Sequence, residues 1–322
     1  MPARKTNCDK VFYNRTGKAI QENIMNKWSW LLLILACWFA AGFTMFDFAP
    51  EQDAPNAPVP NNVQRIVATA PNITEILFAL GLEKEIVGVS LYSNYPPKAK
   101  EKPKIGTFWY PDIEAIIAAK PDLVVTLATE QQKTLAPRLN RIGYRTLTLK
   151  IKKVDDLFVA IDAMGLATRR QHQAGLLMAD IKNDIDHISN MVQNKKKLKV
   201  LYVVQRTPLR VAGRDTFINE MIEIAGGENA IGKTVQQYPP IGGEQIIVSD
   251  VDVIIEPTMG QKNVAQLRDN AIEYWNKYTN ISAVKNKRIY VVDDDTLSQL
   301  GPRLYEGIEA VARCLNPELF EN

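Results

Sequence analysis

Histidine is nearly absent, with only His172 and His187 in 322 residues. Both fall in one helix-patterned stretch. Imidazole is therefore missing elsewhere, both for acid–base chemistry near neutral pH and for holding a haem iron, though a tyrosinate could ligate iron instead. Cysteine is scarce too. Of three, Cys8 and Cys37 lie in the N-terminal leader, which leaves Cys314 with no internal disulfide partner. No Gly-x-Ser-x-Gly turn presents a serine nucleophile, and no glycine-rich loop cradles a phosphate. The formal net charge of +3, part of it in the leader, gives no basis for nucleic-acid binding. No catalytic residue, resident cofactor or metal set emerges. An exported α/β hydrolase stays the rival from another class, short of a nucleophile and a base.

Apolar length is present at one place. Trp28 to Phe46 carries no charge, and its 19 residues would make a helix of about 28 Å, enough to cross a bilayer core. Arg4, Lys5, Lys10, Arg15, Lys18 and Lys27 precede it against Asp9 and Glu22. That asymmetry keeps residues 1–27 in the cytoplasm and sends the rest across the membrane, to a periplasmic or other extracytoplasmic location. A start at Met25 would make residues 1–24 an extension. Three fates fit residues 28–46: a lipid on Cys37 in Ile34-Leu-Ala-Cys37, cleavage at Ala40-Ala-Gly42, or an uncleaved anchor. All three export the domain, and two tether it to the membrane. Residues 47–62, with Pro50, Pro55, Pro58 and Pro60, read as an extended tether.

The remaining chain repeats itself. Glu114-Ala-Ile-Ile-Ala-Ala-Lys-Pro-Asp-Leu-Val-Val125 aligns without a gap to Glu244-Gln-Ile-Ile-Val-Ser-Asp-Val-Asp-Val-Ile-Ile255, 130 residues later. The order glutamate, short amphipathic helix, turn and β-branched run is a helix-to-strand unit of a parallel sheet. Upstream of each lies a second pair, Glu75 to Gly81 and Glu220 to Gly226, helices that end at a glycine suited to a left-handed cap. Two matches in the same order predict two similar α/β lobes with short central parallel sheets, over 63–165 and 198–322, and a ligand cleft between them.

The first lobe is expected to hold strands near Arg65–Thr69, Ile86–Val89, Leu123–Thr126 and Arg145–Leu149. Helices are expected near Asp112–Ala119 and Gln131–Ile142, and Asn72 with Glu75 reads as a capping box for another. The second lobe is expected to hold strands near Val200–Val204, Val253–Ile255 and Ile289–Val292. Its helices fall near Phe217–Ala225, Glu244–Val248, Ala265–Tyr278 and Arg303–Leu315. From Ala167 to Asn194 the only helix breaker is Gly175, and Leu177, Ile181, Ile185, Ile188 and Val192 recur at spacings of three and four. That stripe predicts one backbone helix of about 40 Å across 166–197, a stiff spine allowing only small changes of lobe angle. The plainer reading is one more helix packed on a larger single domain.

With these pieces in order, residues 63–320 resemble the helical-backbone (class III) solute-binding proteins of ABC importers for cobalamin, iron-siderophores and haem. The resemblance rests on Ala70 to Gly81, Val87 to Pro97, Lys104-Ile-Gly106, Glu114 to Val125, Phe217 to Ala230 and Gly301-Pro-Arg303. It is nearest the cobalamin branch, although Gln299 stands where that branch carries a basic residue. The resemblance implies a binder, not an enzyme, that delivers a bulky metal chelate to a permease. It also implies that Glu114 and Glu244, one on each lobe tip, dock on basic sockets of the permease subunits. The plain alternative is that each merely favours a helix N-terminus, by about 0.3–1 kcal/mol.

For the ligand, the candidates are Tyr92, Phe108, Trp109 and Tyr238 as flat apolar faces, with Asp295 and Arg303 as polar contacts. Tyr95 and Tyr110 are weighed as ordinary loop packing. Arg206 and Arg214 follow the first strand of the second lobe and are further polar candidates. Asp293-Asp-Asp295 reads as a strand ending in a polar turn, since three adjacent carboxylates cannot all face one ion. Cobalamin leads, and a ferric siderophore or haem is the alternative.

Overall fold

The computed structural model describes residues 63–297 and 300–321. The leader, the apolar segment 28–46 with Cys37, the tether 47–62 and Gln299 lie outside the described residues. In the first lobe β1 (Ile66–Ala68), β2 (Ile86–Val89), β3 (Leu123–Leu127) and β4 (Thr146–Leu149) form an all-parallel sheet in the order β2-β1-β3-β4. Helix α1 (Pro71–Ala79) follows β1, α2 (Ile113–Ala118) precedes β3, α3 (Leu135–Arg141) joins β3 to β4, and α4 (Val154–Thr168) follows β4. The spine is α5 (Gln171–Val192).

The second lobe contains β5 (Lys199–Arg206), β6 (Leu209–Val211), α6 (Phe217–Ile224), β7 (Glu228–Asn229), α7 (Gly243–Ser249) and β8 (Val253–Pro257). It continues through α8 (Val264–Trp275), α9 (Ser282–Lys285), β9 (Ile289–Val292), α10 (Asp294–Leu297) and α11 (Leu304–Leu315). Its parallel strands run β7-β5-β8-β9, the same order of strands as in the first lobe. The duplication is thus one of topology as well as of sequence. β6 is an addition, pairing antiparallel with the far half of β5.

The inner strands β1, β3 and β8 are buried on both faces, which is why they read as continuous apolar runs rich in β-branched residues. Ile66, Ala68, Leu123 and Val125 face a large core, while Val67 and Val124 face a smaller one with Ile116, Leu135 and Leu139. The second sheet alternates likewise: Val200, Tyr202, Val253 and Ile255 enter the large core, and Leu201, Val203 and Ile254 pack with Ile246 and Trp275. The large core continues through Ile181, Ile188 and Val192 of α5. The two lobes therefore share one apolar interior, strung along the spine.

Three expectations need correcting. The spine begins at Gln171 rather than Ala167, so it is about 33 Å long. Arg169 adopts φ 58° and breaks the chain there. An unforeseen helix, α4, precedes that break, and Gly165 lets the two helices approach so closely that a Cβ there would sit 2.6 Å from that of Ala174. The capping box also fails. α1 starts at Pro71 after an uncapped Ala70, and Asn72 and Glu75 turn to the other lobe instead. Finally, Gln131 to Thr134 is a turn, with α3 starting at Leu135.

Candidate functional site

Loops at the C-terminal ends of the strands converge between the lobes, the place where open parallel sheets present their binding surfaces. They enclose a cleft of about 950 Å³. The first lobe contributes Tyr92, Asn94, Lys100 and Trp109, and the N-terminal turn of α1 adds Pro71. The second contributes the loop Thr258 to Lys262, with Val264, and Asp293 to Asp295. Tyr92 and Trp109 are 58% and 51% exposed, and Met259 is 60% exposed. Three large apolar side chains thus stand uncovered around one opening, an arrangement that water disfavours and a flat apolar ligand would relieve.

The Trp109 loop is built, not loose. Gly106 takes φ 89°, and a Cβ there would lie 2.6 Å from both Asp112 N and Tyr110 O. Only glycine accommodates that turn. Tyr110 donates through its backbone N–H to Thr107 Oγ1 at 3.0 Å, and Phe108 packs edge-on beneath Trp109 with centroids 4.7 Å apart. Gln132, 1% exposed, ties this loop to the sheet. Its Nε2 donates to the carbonyls of Phe108 at 2.9 Å and Thr69 at 3.3 Å. Its Oε1 accepts from Thr69 Oγ1 at 2.7 Å and Leu127 N at 3.1 Å. Sequence reading missed Gln132, because nothing in an isolated glutamine signals four tertiary bonds. The Tyr92 loop is anchored by Ser93, whose hydroxyl lies 2.8 Å from Ser90 Oγ and 3.0 Å from Thr74 Oγ1.

Of the six ligand candidates, Tyr92, Trp109 and Asp295 line the cleft. Phe108 is half-buried against the shared core and supports Trp109 from behind. Tyr238 is half-buried on the same core, and burial raises its phenol pKa. Arg303 is engaged elsewhere. Its Nε and Nη2 donate to both oxygens of Glu75 at 3.0 and 2.8 Å, its side chain is 12% exposed, and the Tyr95 ring covers it at 4.0 Å. Asp295 approaches the same guanidinium at 3.9 Å. Asn72 Nδ2 donates to Leu300 O beside it, at 3.2 Å.

This interlobe tie has a counterpart from the duplication. Glu220, the match of Glu75, accepts from Val154 N at 2.7 Å, so each glutamate reaches the start of the helix that closes the other lobe.

Arg206 is likewise occupied, donating through Nε and Nη2 to Glu256, and Arg214 binds Glu228 and the carbonyl of Ile231. Asp294 accepts from Gly260 N at 2.8 Å and from Thr258 Oγ1, fixing the second-lobe rim. Asp293 Oδ1 accepts from Asp295 N at 3.0 Å, so the expected polar turn is instead the capped first turn of α10. Among the described residues no cluster of three or more His, Cys, Asp or Glu is arranged to hold a metal ion. Glu114 and Glu244 are exposed in the first turns of α2 and α7, the matching helices that lead into β3 and β8.

Comparison with known proteins gives concordant matches. A family model described as periplasmic binding protein matches residues 66–296. The ABC transporter substrate-binding lipoprotein YvrC of Bacillus subtilis is 30% identical over 284 residues, 85% of this chain and 86% of that protein. A vitamin B12-binding protein of Vibrio cholerae is 24% identical over 256 residues, 80% of this chain and 90% of that one. Among solved structures, a possible iron-binding (periplasmic solute-binding) protein of Staphylococcus epidermidis matches with TM-score 0.70 and 31% identity, over 79% of this chain and 99% of that chain.

Proposed function

The chain belongs to the periplasmic binding protein family, and from that premise we propose that it captures a cobalamin-type corrinoid outside the cytoplasm and delivers it to an ABC permease. Like its relatives it is a solute-binding protein, not an enzyme. One observation carries the choice of ligand. The cleft of about 950 Å³ is flanked by Tyr92, Trp109 and Met259, while the arginines nearest to it are each neutralised by a buried glutamate. A volume near the top of the ordinary range of about 300–1,000 Å³ suits a bulky ligand.

The charge balance argues against an anionic one. Lys100 from the first lobe and Lys262 from the second are outnumbered in the lining by Asp293, Asp294 and Asp295, leaving no positive excess for a multiply charged ferric siderophore or for haem propionates. A broad, nearly neutral macrocycle with apolar faces meets both conditions. Tyr92 and Trp109 would supply stacking area, and Asp295 a polar contact. Phe108 would act by holding Trp109 in place. Arg303 and Tyr238 would act through the shape of the site rather than by touching the ligand.

Export and tethering would come from residues 28–46. Delivery would use Glu114 and Glu244, two exposed carboxylates on matching tips of a rigid body, which can meet two basic sockets together and steer encounter.

The test is a titration of the detergent-solubilised chain with cyanocobalamin, ferric siderophores of different charge and haem, following tryptophan emission. Cyanocobalamin should quench it, and Trp109→Phe should remove most of the change. A response only to an anionic siderophore or to haem would replace the ligand assignment; silence toward all three classes would end it.

A further inference from the structure

A second hollow of about 290 Å³ opens beside the cleft and shares Thr258, Met259 and Gln261 with it. Every residue lining it belongs to the second lobe. At that size it is less than a third of the cleft's volume and sits at the bottom edge of the range for drug-sized ligands. It fits an arm of a molecule already seated next door.

Its chemistry is specific. Val203, Pro257 and Leu267 form an apolar passage, and Arg206 with Glu256 forms the polar part. Glu256 is 5% exposed. It accepts from Trp275 Nε1 at 2.6 Å and from Nε and Nη2 of Arg206, so its lone pairs are largely taken. Arg206 Nη1 makes no hydrogen bond among the described residues, and the side chain is one-quarter exposed. The hollow therefore offers N–H donors from a guanidinium whose charge is already balanced. An anionic arm would gain the donors but meet the buried carboxylate behind them; a cationic arm would meet the guanidinium. A neutral acceptor on a short apolar stem suffers neither repulsion.

Resting on the corrinoid reading above, we infer that this hollow is a subsite for a terminal carboxamide arm of the ligand held in the cleft. Leu267, half-buried on α8, offers a way to fill it without touching the ion pair or the cleft aromatics.

The experiment is equilibrium dialysis of the solubilised full chain, native and Leu267→Trp, against cyanocobalamin and its separate monocarboxylates, in which one side-arm amide has become an acid. The native chain should bind cyanocobalamin at least tenfold more tightly than one of the monocarboxylates. Leu267→Trp should weaken cyanocobalamin about tenfold and erase that preference. If both chains bind cyanocobalamin equally, or if the native chain accepts every monocarboxylate as readily, the subsite is wrong and the cleft assignment stands. If the native chain does not bind cyanocobalamin, the corrinoid reading falls and takes the arm assignment with it.

Discussion

Glu75 is 3% exposed, in the first lobe, and grips Arg303 of the second through two hydrogen bonds of 2.8 and 3.0 Å. Those bonds keep the guanidinium firmly protonated, its pKa raised above the usual arginine value. A buried pair of this kind adds little over an apolar replacement, yet removing one member leaves a charge stranded away from water. Glu306 Oε2 still lies 3.4 Å from Nη1 of Arg303, so Glu75→Ala should cost less than the roughly 3–5 kcal/mol of a fully stranded charge, read as a lower urea midpoint at unchanged slope. The double variant Glu75→Leu with Arg303→Met should lose less than Glu75→Ala alone. Equal losses would mean that the tie contributes through packing only. The local motif Asn72-x-x-Glu75 reads as a capping box because sequence displays neighbours three residues apart and hides one 228 residues away.

At the scale of elements, the loop from Gly106 to Pro111 positions Trp109, and its glycine offers a controlled perturbation. Gly106→Ala must place a Cβ 2.6 Å from two backbone atoms, adding to the roughly 1–2 kcal/mol that a left-handed L-residue costs. Ligand affinity should fall at least tenfold. Gly143 has nearly the same φ, 88°, with nothing within 4 Å of a Cβ. Gly143→Ala should thus lose about 1–2 kcal/mol of stability and keep its affinity in the same titration. Loss of binding in both would show that the effect is global.

The strands were legible because burial on both faces demands unbroken runs such as Leu123-Val-Val-Thr-Leu127. α4 was not, since Lys153 is a poor N-cap signal and the boundary at Arg169 is a left-handed arginine, which no composition rule marks. The cleft aromatics were half legible. Sequence shows that Phe108 and Trp109 are adjacent, but which ring faces the opening depends on Gln132, and that contact closes only in the fold.

For the whole molecule, the repeated order β2-β1-β3-β4 and β7-β5-β8-β9 puts Glu114 and Glu244 on equivalent helices. Under the proposed docking role, Glu114→Ala with Glu244→Ala should reduce uptake in cells about tenfold or more, as expected where steering charge is lost. Cyanocobalamin affinity of the purified chain should stay within twofold. Weakened binding in solution would instead place these carboxylates in the structure of the site.

The crossed glutamates carry a further consequence for how cargo leaves. A jaw riveted on both flanks, with a common hydrophobic marrow behind the rivets, cannot gape widely. Exchange of the guest would fall to small breathing at the lips, near Tyr92 and Met259. Spontaneous escape should then be slow, and rapid unloading would require an outside lever to strain one of those rivets.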